Sequence, residues 1–259
     1  MRAGPAWWCE RTVQFLELLI AGLTIGMMLG VLGGGGAIFT APLLIYGFGL
    51  SPLVATTVSL VVVLMASVSG LIGHHRARAI RWREGVIFGV LGTAAAVAGS
   101  LLAGQVPERF LTGGFAILLL VAAVAMARPP SLADGADHRR HPMVVVLAAL
   151  GVGLVTGFFG VGGGFVIVPA LVLALGFGMR EAAATGLLVI AINSLAALAV
   201  RGPEYLDWSI ALPMAVGAVA GAAIGAVIAP RVSKEHLRKA FAALMVAAAV
   251  FIGVQTGIA

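Results

Sequence analysis

Along this 259-residue chain, long apolar runs alternate with short polar breaks. No Asp, Glu, Lys or Arg occurs over residues 18–73, and further uncharged runs cover 85–107, 110–127, 142–179, 182–200, 208–230 and 240–259. Each is near or above the roughly 20 residues that an α-helix needs to cross a bilayer. A charge at a helix centre costs about 2.5–3.5 kcal/mol on insertion, so this succession of clean runs indicates lipid surroundings rather than buried soluble helices. No run alternates polar and apolar residues as a membrane-spanning strand does, which excludes an outer-membrane barrel. The expected fold class is all-α, a polytopic helical membrane protein.

Polar breaks and glycines cut the runs into segments near 13–31, 37–48, 52–73, 85–104 and 110–127, then 143–160, 164–177, 182–200, 209–230 and 239–257. The second set repeats the first. A shift of about 127 residues superimposes Gly26 on Gly153, Gly30 on Gly157, Gly33 on Gly160, Gly35 and Gly36 on Gly162 and Gly163, and Pro42 on Pro169. With small adjustments Thr56 meets Thr185, Trp82 meets Trp208 and Gly99 meets Gly225. Two tandem membrane repeats are expected, 1–127 and 143–259, joined by a polar linker over 128–142 that holds Pro129, Pro130, Arg139 and Arg140.

Each repeat opens on a glycine cluster, Gly33–Gly36 in the first and Gly160, Gly162, Gly163 and Gly164 in the second. Gly22, Gly26 and Gly30 have the one-per-turn spacing that lets membrane helices approach closely, as do Gly217, Gly221 and Gly225. Packing does not require adjacent glycines, and a run of them has weak helix propensity. A broken helix is therefore expected in each repeat, with Gly30, Pro42, Gly157 and Pro169 as break or hinge positions. If the broken unit makes two insertions, there are ten segments, Lys and Arg divide twelve to four, and both termini lie outside. If it crosses once, there are eight spans with a ten-to-six division and both termini in the cytoplasm. Equivalent loops carry opposite charge bias: Arg76, Arg78, Arg81 and Arg83 stand opposite Arg201, Glu204 and Asp207. That bias favours inverted halves.

Hydrophobic residues form 61% of the chain and its isoelectric point is about 10.7, but the basic residues flank spans, where they act as orientation signals rather than as a nucleic-acid surface. Cys9 is alone, so neither a disulfide framework nor a cysteine metal site is available. Arg2 and Arg11 precede the first apolar run, which reads as a retained helix and not a cleaved signal. His74 and His75 are adjacent, whereas a metal pair on one helical face needs spacing of three or four; both are expected in an exposed loop. Glu17 is expected near the interface, and Trp82 and Trp208 as interfacial anchors. The spans hold no Ser-His pairing, aspartate pair or His-Glu-x-x-His group, so an intramembrane enzyme is not expected, and neither is a cofactor or metal.

Helices restarting after the glycines, near Ala37 and Phe165, would point unpaired N–H groups and a positive dipole end into the membrane. No span carries a central Lys or Arg, so two such ends are the chain's available means of attracting a small anion. The substrate shell expected from the residues is Gly33, Gly34, Gly35, Gly36 and Ala37 with Gly160, Gly162, Gly163, Gly164 and Phe165. Hydroxyl and amide donors at Thr56, Thr57, Thr185 and Asn193 complete it, although each is open to ordinary interhelical or helix-carbonyl bonding. The doubled Gly-x-x-Gly-x-Gly-Gly string with its following proline resembles the TauE/SafE family of sulfite and organosulfonate exporters. That resemblance spans both halves. It implies a secondary transporter of the inner (plasma) membrane, exporting small sulfur-containing oxyanions; an anion channel or a non-transporting assembly subunit is the alternative. The expected partners are the anion and the lipid bilayer.

Overall fold

The computed structural model describes residues 6–75, 79–103, 108–127, 142–159, 164–202 and 204–258. Every regular element among them is helical: α1 (Ala6–Leu32), α2 (Ala37–Pro42) running into a π-helical turn (Leu43–Gly47), α3 (Pro52–His75), α4 (Trp82–Ala103), α5 (Glu108–Ala127), α6 (Pro142–Phe158), α7 (Gly164–Leu173), α8 (Met179–Arg201), α9 (Trp208–Ile228) and α10 (Lys234–Ile258). A short 3-10 turn, Ala229–Arg231, follows α9. Among the described residues six helices are long and apolar enough to cross a bilayer: those covering Val13–Leu32, Pro52–His74, Trp82–Ala103, Met179–Arg201, Trp208–Arg231 and Lys234–Val254. The chain is a polytopic helical membrane protein. Large apolar side chains such as Ile20, Leu101, Ile117 and Val200 point outward all round it, as lipid contact requires.

Glycine sets the closest helix contacts. A Cβ on Gly217, Gly221 or Gly225 of α9 would meet the carbonyls of Leu19, Leu23 or Met27 of α1, and one on Gly22 or Gly26 would meet Met214 or Ala218. The two backbones touch, and both numberings rise together, so α1 and α9 are parallel. The same arrangement joins α6 to α4: Gly153 packs on Gly92, Gly157 on Ala96, and Gly99 on Leu154. Gly30 and Gly157 are therefore contact glycines that are still helical, two residues and one residue before α1 and α6 end. Between helices in lipid, such dispersion contact replaces the hydrophobic drive available in water.

Other contacts fix the remaining directions. Ser69 Oγ donates to Val219 O at 2.8 Å and Gly73 abuts Ala226, so α3 runs with α9. Gly85 abuts Leu188 and Gly89 abuts Ile192, so α4 runs with α8. Arg201 meets Thr57 while Gly70 meets Leu187, so α3 and α8 run in opposite directions along a shared seam. Helices α1, α3 and α9 thus form one parallel bundle, and α4, α6 and α8 form another, pointing the other way. Trp82 and Trp208 open α4 and α9 at opposite faces of the molecule, both side chains about half exposed.

Candidate functional site

The helix break falls where adjacent glycines exclude continuous helix. Gly33 N–H still donates to Leu29 O at 2.7 Å, but its φ of +81° turns the chain out of α1. The chain then doubles back: a Cβ on Gly36 would lie 2.6 Å from Ile25 O and 2.9 Å from Leu29 N. Further down, Gly35 meets Leu244 and Tyr46 meets Phe251, their ring centroids 5.8 Å apart, so α2 and its π turn run alongside α10 towards the start of α3. The first broken unit therefore enters and returns. Gly36 caps α2 without a side chain, leaving its first N–H groups with no side-chain partner.

The second break begins outside the described residues, so Gly160, Gly162 and Gly163 are not placed. Its far side is. Gly164 and Phe165 open α7 and both are buried. A Cβ on Gly34 would fall on the carbonyl oxygen of Gly164, and one on Gly164 would come 3.2 Å from Gly34 O. Gly34 of the first cluster and Gly164 of the second, far apart in sequence, meet backbone to backbone. The junction is at mid-depth, since Gly164 packs on Ile190, midway along α8, and Gly35 on Leu244, near the middle of α10. Gly33 to Gly36 are all buried, and Ala37 is half-buried. Around them Phe165 stacks edge-on against Phe115 at 5.1 Å and Gly33 packs on Ala183.

The hydroxyl and amide groups expected to complete the site lie elsewhere. Thr56 and Thr57 sit in the second turn of α3, where their Oγ1 atoms donate to helix carbonyls at 2.8 Å and accept from Arg201 at the end of α8. Thr185 accepts from the Arg81 N–H at 3.1 Å, close to the start of α8. Asn193 is at mid-depth but on the α4 side of α8. With its amide turned to donate, it reaches Thr93 Oγ1 at 2.8 Å and the Gly89 and Val189 carbonyls at 3.3 Å. The α8 face that meets the glycines carries Ala183, Gly186 and Ile190 instead. Pro42 and Pro169 also differ from expectation: each lies inside a helical run, five residues past its start, and neither ends it. Pro42 instead marks the change from α to π winding, because its missing N–H leaves the Ile38 carbonyl without its helical donor.

Three groups escaped the sequence reading. Ser67, fully buried in α3, has a side-chain oxygen without a partner. Thr40, buried one turn into α2, bonds back to Gly36 O at 3.3 Å. His74 is not in a loop but buried in the last turn of α3, with Nδ1 3.1 Å from Gly70 O. Thr40 and Ser67 lie inside apolar runs and His74 at the end of one, and only the neighbouring helices decide whether such a residue faces lipid or protein.

Comparison with known proteins adds the family. The sulfite exporter TauE/SafE family profile matches residues 18–252. A probable membrane transporter protein of Xylella fastidiosa (strain Temecula1) is 32% identical over 250 residues, covering 93% of this chain and 96% of its own length. Probable membrane transporter proteins of Methanocaldococcus jannaschii and Bacillus subtilis are 27% and 25% identical, covering 87% and 94% of this chain and 91% and 97% of their own lengths. No solved structure matches the chain. A doubled glycine motif, a re-entrant helix in the first half and a family match across nearly the whole sequence agree: the chain is a membrane transporter and belongs to the sulfite exporter TauE/SafE family.

Proposed function

We propose that the chain is a secondary transporter that exports small sulfur-containing oxyanions, such as sulfite or organosulfonates, across the inner (plasma) membrane, binding them where its two broken helices meet. The packing of Gly34 on Gly164 supports this most directly, because it brings the starts of α2 and α7 together at mid-depth. A helix start is equivalent to roughly half a positive charge, so two offset about one negative charge. Organosulfonates and hydrogen sulfite carry one. Gly33 to Gly36, Ala37, Gly164 and Phe165 are the residues assigned to the site, joined by Gly160, Gly162 and Gly163 from the second cluster.

The reading includes inverted repeats, 1–127 and 143–259, about the linker 128–142. In support, α1 is parallel to α9 as its counterpart α6 is to α4, while the counterparts α3 and α8 oppose each other. Ten insertions follow, and the loops then sort by charge. Arg76, Arg78, Arg81, Arg83, Arg128, Arg139, Arg140, Arg180, Arg231, Lys234, Arg238 and Lys239 fall on one side, against Arg2, Arg11, Arg109 and Arg201 on the other. The first side is assigned to the cytoplasm. Proteoliposomes carrying the purified chain should exchange labelled sulfite or a short organosulfonate, saturably and faster than vesicles without protein. Vesicles inert to a panel of such monoanions would overturn the substrate assignment while leaving the family untouched.

A further inference from the structure

Seven residues, two helical turns, separate Ser194 from Arg201 on α8, and Ile190, which packs on Gly164, lies one turn further in. Arg201, Ser194 and Ile190 therefore share the stripe of α8 that leads from one membrane face to the glycine junction. Opposite runs α3. Its Thr56 and Thr57 accept hydrogen bonds from Arg201 Nη1, the second at 3.5 Å, and both hydroxyl protons are already given to helix carbonyls. Ser67 belongs further along the same seam, one turn before Gly70, which meets Leu187; it is buried and its oxygen is unpartnered.

The two ends of this seam are closed by different devices. At the Arg201 end the closure is polar and exposed to solvent, and it depends on one guanidinium. About 24 Å away along α8, near Thr185, it is apolar: Ile80, Ala184 and Leu188 form a buried cluster of their own, with Leu71 and Ile192 packed against it. Arg81, the residue after Ile80, pairs with Glu181 at 2.9 Å.

We infer that the α3–α8 seam is the anion's route between the glycine junction and the outer face, and that Arg201 is the residue that opens and closes it. Released from Thr56 and Thr57, the guanidinium exposes the stripe through Ser194 and presents its free donors to an oxyanion at the mouth. Arg201 is a positioning residue of transport in this scheme. The inference rests on the site and orientation proposed above for what passes and for which face is outer, but its test needs neither a known substrate nor measurable flux.

The reporter is Ser194→Cys in a Cys9→Ser background, labelled with a membrane-impermeant thiol reagent in right-side-out and inside-out vesicles. The parent reporter should label slowly from both faces. Arg201→Ala should raise labelling from the outer face about tenfold, the effect of losing a charge-assisted hydrogen bond, and leave the cytoplasmic face unchanged. Thr56→Val removes the nearer of the two acceptors without touching the arginine and should act in the same direction. Arg201→Lys, which keeps a cationic donor, should restore slow labelling. Unchanged labelling in both Arg201→Ala and Thr56→Val would overturn the inference, and so would an equal rise from both faces or a rise confined to the cytoplasmic face.

Discussion

Gly34 is the most discriminating position to perturb. A Cβ there would overlap the Gly164 carbonyl oxygen and lie 2.8 Å from the Gly164 carbonyl carbon, where ordinary contact begins at 3.4 Å. Neither partner is a side chain that can swing aside, so Gly34→Ala must force the two broken helices apart by at least the 0.6 Å difference between those distances. Overpacking of this kind costs about 1–3 kcal/mol. At 1.4 kcal/mol per tenfold, that is a loss of roughly 5- to 150-fold in the population of the closed junction. Gly35→Ala is the internal comparison, because the one atom its Cβ would crowd is the end of the flexible Leu244 side chain, with Leu32 and Phe241 at an ordinary 3.6 Å. Gly151→Ala, in an exposed stretch of α6 with nothing within 4 Å, is the neutral control. Initial rates of labelled-anion uptake in proteoliposomes, normalised to inserted protein, should fall in the order Gly151→Ala, Gly35→Ala, Gly34→Ala. Equal rates for Gly34→Ala and Gly151→Ala would show that contact between the helix starts is not needed for transport.

Four further outcomes follow from the same geometry. Gly26→Ala and Gly157→Ala place a methyl on the Ala218 and Ala96 backbones respectively, and each should lower the detergent melting temperature markedly. Asn193→Ala removes a tie between α8 and α4 worth about 0.6–1.7 kcal/mol; it should soften thermal stability while transport per folded molecule stays above half. Two helix starts match one negative charge, so sulfate, a dianion, should compete with sulfite uptake far less well than methanesulfonate does. Single cysteines at Glu204 and Ser233, both in exposed turns, should react with impermeant reagents only from outside and only from the cytoplasm, respectively; labelling from the same side would remove the inverted arrangement.

Two kinds of information in this sequence differ in how far they carry. Span positions were legible because bilayer thickness imposes a length on apolar runs: the observed helices begin and end within about five residues of those expected, except that α1 starts at Ala6, seven residues before its expected start. The first break was legible for a different reason: one glycine per turn suffices for helix packing, whereas Gly33 to Gly36 in a row disfavour helix, and α1 stops at Leu32. The face of a helix on which a polar residue falls was not legible. Thr185 and Gly186 are neighbours, yet the first bonds to Arg81 and the second packs on Val168 of α7, because successive residues differ by 100° around the axis. The same ambiguity took Asn193 away from the junction and hid His74 inside the protein. The prolines show a second limit. Pro42 and Pro169 follow their glycine clusters at equal spacing, which read as one break, but each lies in a helix already restarted. What each removes is a single donor, to Ile38 O and Phe165 O, next to the helix starts at the junction.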